Sequence, residues 1–143
     1  MKRFVTLLLV LCLLCALVAG CSGGGGGSDV DIDLTSMSTT MAQAEFRRLV
    51  MDAERYAGRT IRASGAYFTF FFDGTNQRYH FVTIVDGDDC CREGLEFRLT
   101  GDPVFPDDFP AENTFVEVTG TLGRYQELGQ WFIYVSTDEI VTP

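Results

Sequence analysis

Adjacent cysteines at Cys90 and Cys91 have the plainest capacity for chemistry in this chain. Neighbouring α-carbons sit about 3.8 Å apart, below the roughly 4.4–6.8 Å usual for a disulfide, so a bond between them would be strained and easily reduced. Reduced, the two sulfurs are soft ligands. His80, the one imidazole in the chain, could join them, with Asp86, Asp88, Asp89 or Glu93 completing a zinc or copper shell. Neighbouring strand residues point to opposite faces, so such a clasp needs an irregular loop. Three readings stay open: a vicinal disulfide of structural or redox use, a metal site, or one buried and one unemployed thiol. The run Asp86-Gly87-Asp88-Asp89 lacks the alternating ligands, the glycine and the closing glutamate of a calcium loop, and a solvated acidic turn is expected. Read alone, His80 is expected to be a strand residue with an ordinary hydrogen bond.

The second constellation is Tyr67-Phe68-Thr69-Phe70-Phe71-Phe72, which puts aromatic rings on both faces of a strand just before its turn. Either the strand is buried on both sides, or Tyr67, Phe68, Phe70 and Phe72 stack on a sugar, base or peptide side chain. Catalysis finds little support. There is one histidine, no Gly-x-Ser-x-Gly elbow and no glycine-rich phosphate loop opening a helix. Glu96 and Glu117 could form a carboxylate pair, but structural or solvent-facing roles are expected, and the chain is expected not to be an enzyme.

What must position these residues begins after the N-terminus. Lys2 and Arg3 precede an apolar run from Phe4 to Val18, which has the basic flank of an export signal and is shorter than the roughly 20 residues of a membrane span. Val18-Ala19-Gly20-Cys21 resembles the bacterial lipobox, and the resemblance implies that residues 1–20 are removed and Cys21 becomes a lipidated N-terminus. An ordinary secretory signal with an incidental cysteine is the alternative. Two or three acyl chains, at about 0.8 kcal/mol per buried methylene, would hold stably to a membrane. Cys12 and Cys15 would leave with the signal, making Cys90 and Cys91 the free thiols of the mature chain, in a compartment where thiols tend to oxidise.

Ser22 to Ser28 is a Gly/Ser tether, and a solvated linker is expected across residues 21–40, with a reach of about 20–25 Å. Within it, Asp29-Val30-Asp31-Ile32-Asp33-Leu34 alternates acid with aliphatic and could instead add to a sheet edge or offer oxygen ligands to calcium. The formal net charge of −9 becomes −11 once Lys2 and Arg3 are lost. That balance excludes a nucleic-acid partner, which needs a basic face, and should hold the domain above an anionic membrane.

Residues 41–143 carry eleven Phe, five Tyr and one Trp, enough for a core. Thr40 to Ala57 places Ala42, Phe46, Leu49, Val50, Ala53 and Ala57 on one helical stripe, and Gly58 supplies the stop. Strands are predicted at Thr60 to Phe72, Arg78 to Val85, Leu95 to Leu99, Thr114 to Leu122 running on toward Tyr125, and Gln130 to Ile140. Asp73-Gly74 and Leu128-Gly129 mark hairpins, while Pro103, Pro106 and Pro110 keep one connection irregular.

Val116-Glu117-Val118-Thr119-Gly120-Thr121-Leu122, a strand interrupted by glycine where a barrel would bend, resembles the OB fold, as does Ile61 to Tyr67. The resemblance implies a mainly β domain: a five-stranded OB-like barrel with one N-terminal helix packed on it. A narrower likeness rests on the aromatic strand Tyr79 to Val85, Cys90-Cys91 and Val118 to Gly120. These features are similar to small OB-like envelope lipoproteins and to the OB-like C-terminal domain of permease-associated membrane proteins. It implies a lipid-anchored module facing outside the cytoplasm that binds or assembles with an envelope protein or permease. The alternative is a metal or redox accessory built on Cys90, Cys91 and His80.

Overall fold

The computed structural model describes residues 30–84 and 93–143. Its organising element is the strand Thr60–Phe72 (β2), whose alternation buries Ile61, Ala63, Gly65 and Tyr67 on one face. The first half of β2 pairs antiparallel with Phe115–Glu127 (β5), in the register Ile61↔Gly120, Ala63↔Val118 and Gly65↔Val116. Its second half pairs antiparallel with Gln77–Thr83 (β3), in the register Phe68↔Phe81 and Phe70↔Tyr79. Next to β3 lies Gly94–Leu99 (β4), antiparallel to it and parallel to Gln130–Thr137 (β6). β5 and β6 form a hairpin.

The domain is mainly β, a six-stranded mixed sheet with a helix. The sixth strand corrects the count of five. It is Ile32–Asp33 (β1), which lies parallel to β2 in the stretch expected to be solvated linker. The alternation itself explains the difference: Ile32 and Leu34 are buried, while the acids between them find partners. Asp31 accepts the Thr60 N–H at 2.9 Å, and Asp33 accepts the Thr35 N–H at 3.0 Å and faces Arg62 at 3.6 Å. The Thr35 side-chain hydrogen bond foremost, with Arg62 assisting, holds the Asp33 carboxyl below its ordinary value.

The helix Thr39–Met51 (α1) is shorter than the expected stripe, because Asp52 leaves helical geometry at φ −123° and ψ 40° before a last turn, Ala53–Tyr56 (α2). That break changes the phase. Ala42, Phe46 and Leu49 are buried as the spacing requires, but past the break Tyr56 takes the next core position and Ala57 is exposed; Val50, within α1, is exposed as well. Gly58, at φ +85°, ends the segment, and its N–H donates to the Leu122 carbonyl at 2.8 Å. Among the described residues no helix is long and apolar enough to cross a membrane.

Candidate functional site

Two hairpins build the site. Side chains alternate along a strand, so the register that sends Tyr67, Val82, Phe97 and Val135 into the core sends Phe70, Tyr79, Glu96, Tyr125 and Phe132 to the opposite face. The β5–β6 hairpin closes through Leu128 and Gly129, both at positive φ (48° and 80°), the geometry of a two-residue turn suited to strand twist. Between this hairpin and the β2–β3 hairpin runs a groove of about 490 Å³. Phe70, Phe72, Tyr79 and Phe81 line one side and Tyr125, Trp131 and Phe132 the other, with Phe46 and Val50 of α1 also in its wall. Phe70 is 54% exposed and Trp131 56%, so solvent reaches these rings.

Glu96 and Glu127 are the charged residues of the lining. Glu96 is 5% exposed, and it accepts from the Tyr125 hydroxyl at 2.7 Å and from Arg98 Nε at 2.8 Å. Burial pushes its carboxyl above the ordinary range, and those two hydrogen bonds oppose the shift. Arg98 lies over the Tyr125 and Tyr134 rings at 4.1 and 4.3 Å. Glu127 accepts from the Tyr79 hydroxyl at 2.7 Å, and Tyr79 also meets the Thr75 hydroxyl at 2.9 Å. Burial first, and then the carboxylate each faces, raise both tyrosines above their ordinary value, so the phenols stay protonated and donate. The groove thus presents ring faces, two carboxylates and two phenol donors.

The aromatic run divides. Phe70 and Phe72 line the groove, Tyr67 is sealed in the core and is not available for stacking on a ligand, and Phe68 is half-buried with its ring 4.9 Å from Phe81. Glu96 and Glu117 meet different partners, Glu117 facing Arg62 at 3.6 Å, and the carboxylate that shares the groove with Glu96 is Glu127. Glu93 is taken by Arg47 at 2.9 Å. Cys21, Cys90, Cys91, Asp86, Asp88 and Asp89 lie outside the described residues. Among the described residues no three His, Cys, Asp or Glu side chains gather as a metal set would. Tyr79, Phe81, Tyr125, Glu127, Trp131 and Phe132 escape a sequence reading that stops at the aromatic run, although the Leu128-Gly129 turn marks the hairpin that carries four of them.

No protein-family model matches this chain, and no curated protein matches it.

His80 points toward the core. Its Nδ1 is 2.7 Å from the Tyr67 hydroxyl, and Phe109, from the proline-containing connection, stacks on the imidazole at 3.8 Å. Burial, with Arg78 assisting, lowers the His80 pKa to about 4. A neutral imidazole in the fold against an ordinary value of about 6.5 unfolded means stability that is full above pH 6.5 and declines as pH falls toward 4. Because the ring is only half-buried, we expect a loss of roughly 1 kcal/mol between pH 7 and pH 5. Urea unfolding of the native protein and of His80→Gln checks this. The variant should show no decline over that interval, and parallel profiles would rule the account out.

Proposed function

We propose that the protein is an extracytoplasmic lipoprotein, held to a bacterial membrane through Cys21, that acts as a non-enzymatic binding module and captures its ligand in the groove between the two hairpins. The observation that carries this reading is the groove itself: a small-molecule-sized cleft whose rings face solvent and whose two carboxylates are held by tyrosine hydroxyls. The return of the sheet onto β2, which pairs with both β3 and β5, supports the finer reading of β2–β6 as a five-stranded OB-like barrel, with α1 packed on it and β1 added at an edge. In such barrels the loops joining the first to the second strand and the fourth to the fifth flank the usual binding face. Here those are the two hairpin turns beside the groove. A captured compound would pass to a permease or other envelope partner.

Capture predicts ligand-linked stability. The full chain incubated with the small-molecule fraction of spent growth medium should melt about 2–4 °C higher than in buffer. Exchange of Trp131 and Phe132 for serine should abolish the rise. Equal shifts in both proteins, or none in either, would count against the groove as the binding site.

A further inference from the structure

We propose that the groove binds a small organic ammonium compound, its cationic head beside the Glu127 carboxylate and its apolar body on the surrounding rings. This rests on the groove reading above and adds to it the chemical class of the ligand.

Charge complementarity is the first ground. The lining contains carboxylates and no arginine or lysine, in a chain whose net charge is −9. Anionic ligands such as nucleotides would meet repulsion there, and the aromatic walls offer a metal ion no ligands. An ammonium ion with carbon substituents suits both parts of the lining, since ring faces attract cations and apolar walls accept the substituents.

The second ground is what the protein does with its own cations at the margins of this groove. Arg98 sits between the faces of Tyr125 and Tyr134, at 4.1 and 4.3 Å, with its Nε on Glu96. Arg124 lies 4.6 Å from the ring of Trp131. A carboxylate beneath a cation held on ring faces is therefore already present once. Glu127 repeats half of it: its carboxylate takes the Tyr79 hydroxyl and has no cation within ion-pair distance among the described residues. It lies two positions along the same strand face from Tyr125, whose ring is 5.4 Å from that of Phe132. A ligand's ammonium group would complete the second copy of the pattern. The volume of about 490 Å³ suits a compound of ten to twenty heavy atoms rather than a polymer.

Trp131 is the one tryptophan of the chain, so its fluorescence reports on the groove alone. The full chain in dodecyl maltoside micelles is titrated with benzyltrimethylammonium, benzyl alcohol and phenylacetate. We expect benzyltrimethylammonium to shift Trp131 emission and to bind at least about tenfold tighter than benzyl alcohol, with phenylacetate weakest. Glu127→Gln should weaken the ammonium probe about tenfold and leave benzyl alcohol unchanged. Tyr79→Phe, which keeps the ring and removes the hydroxyl that orients Glu127, should weaken it about threefold. Circular dichroism confirms that both variants are folded. Equal binding of the three probes overturns the ammonium assignment while leaving the groove as a binding site. Absence of any shift overturns both readings. A blocked Phe-Lys-Phe peptide that binds far tighter than benzyltrimethylammonium would overturn the small-molecule source and assign the cation to a partner protein's lysine.

Discussion

Gly120→Ala should lower the stability of the domain by about 3 kcal/mol or more and shift its urea midpoint far below that of the native protein. Gly120 sits opposite Ile61 on the core-facing side of the β2–β5 ladder, where a Cβ would run into the Ser136 carbonyl and come within 2.9 Å of Val135 Cγ1. Neither neighbour can yield cheaply. The carbonyl is backbone of a strand locked to β5, and Val135 is fully buried between Leu122 and Phe97 in the register. Relief would require β6 to move away from β5, opening the core at the fully buried Val135. Overpacking of this kind costs about 3 kcal/mol or more, a large share of the roughly 5–15 kcal/mol that stabilises a domain. Gly65→Ala should behave the same way, because its Cβ would strike the Thr83 carbonyl of β3. Gly101→Ala is the control. Nothing lies within 4 Å of its Cβ position, and its φ of +80° should cost only about 1 kcal/mol. Urea midpoints of the three variants check the ranking, and a native-like midpoint for Gly120→Ala would mean that the strands are less tightly coupled than this packing requires.

Those two glycines were legible in the sequence as interruptions of alternating strands, because a residue without a Cβ inside an otherwise apolar period marks a close approach of backbone. The five longer strands were legible for the same reason: Thr60–Phe72 carries its own period of two and needs no partner to declare it. β1 was not. Acid-aliphatic alternation beside a Gly/Ser tether favours a linker over an edge strand until Ile32 is seen against Ile61. The helical stripe failed at Ala57 because spacing assumes one continuous helix, and the step at Asp52 reset the phase in favour of Tyr56; Val50, before that step, stands in the wall of the groove instead. The groove was half visible. Phe70 and Phe72 stand in an obvious aromatic run, but their opposite wall is about fifty residues away, and Glu127 meets Tyr79 only through the register of four strands. Sequence spacing encodes which face a residue takes, whereas the meeting of two hairpins is a property of the closed sheet.

The second large effect concerns location. Cys21→Ser should move the protein from almost wholly membrane-bound to almost wholly released or unprocessed, and labelled palmitate should no longer enter it. The expectation follows from the proposed anchoring through Cys21. No helix of the described residues can span a bilayer, and a mature chain with twenty acidic residues against nine basic ones is repelled by an anionic surface. In the proposed anchoring, attachment rests on the acyl chains, each buried methylene contributing about 0.8 kcal/mol, so their loss would remove nearly all of it. β1 also shortens the leash. Since pairing begins at Ile32, ten residues separate Cys21 from the first strand, so under the proposed anchoring the domain would stand close to the headgroups. Membrane fractionation with palmitate labelling decides the matter. Label persisting in Cys21→Ser would place the acylation elsewhere, and processing to a released, unlabelled wild-type chain would make residues 1–20 an ordinary secretory signal.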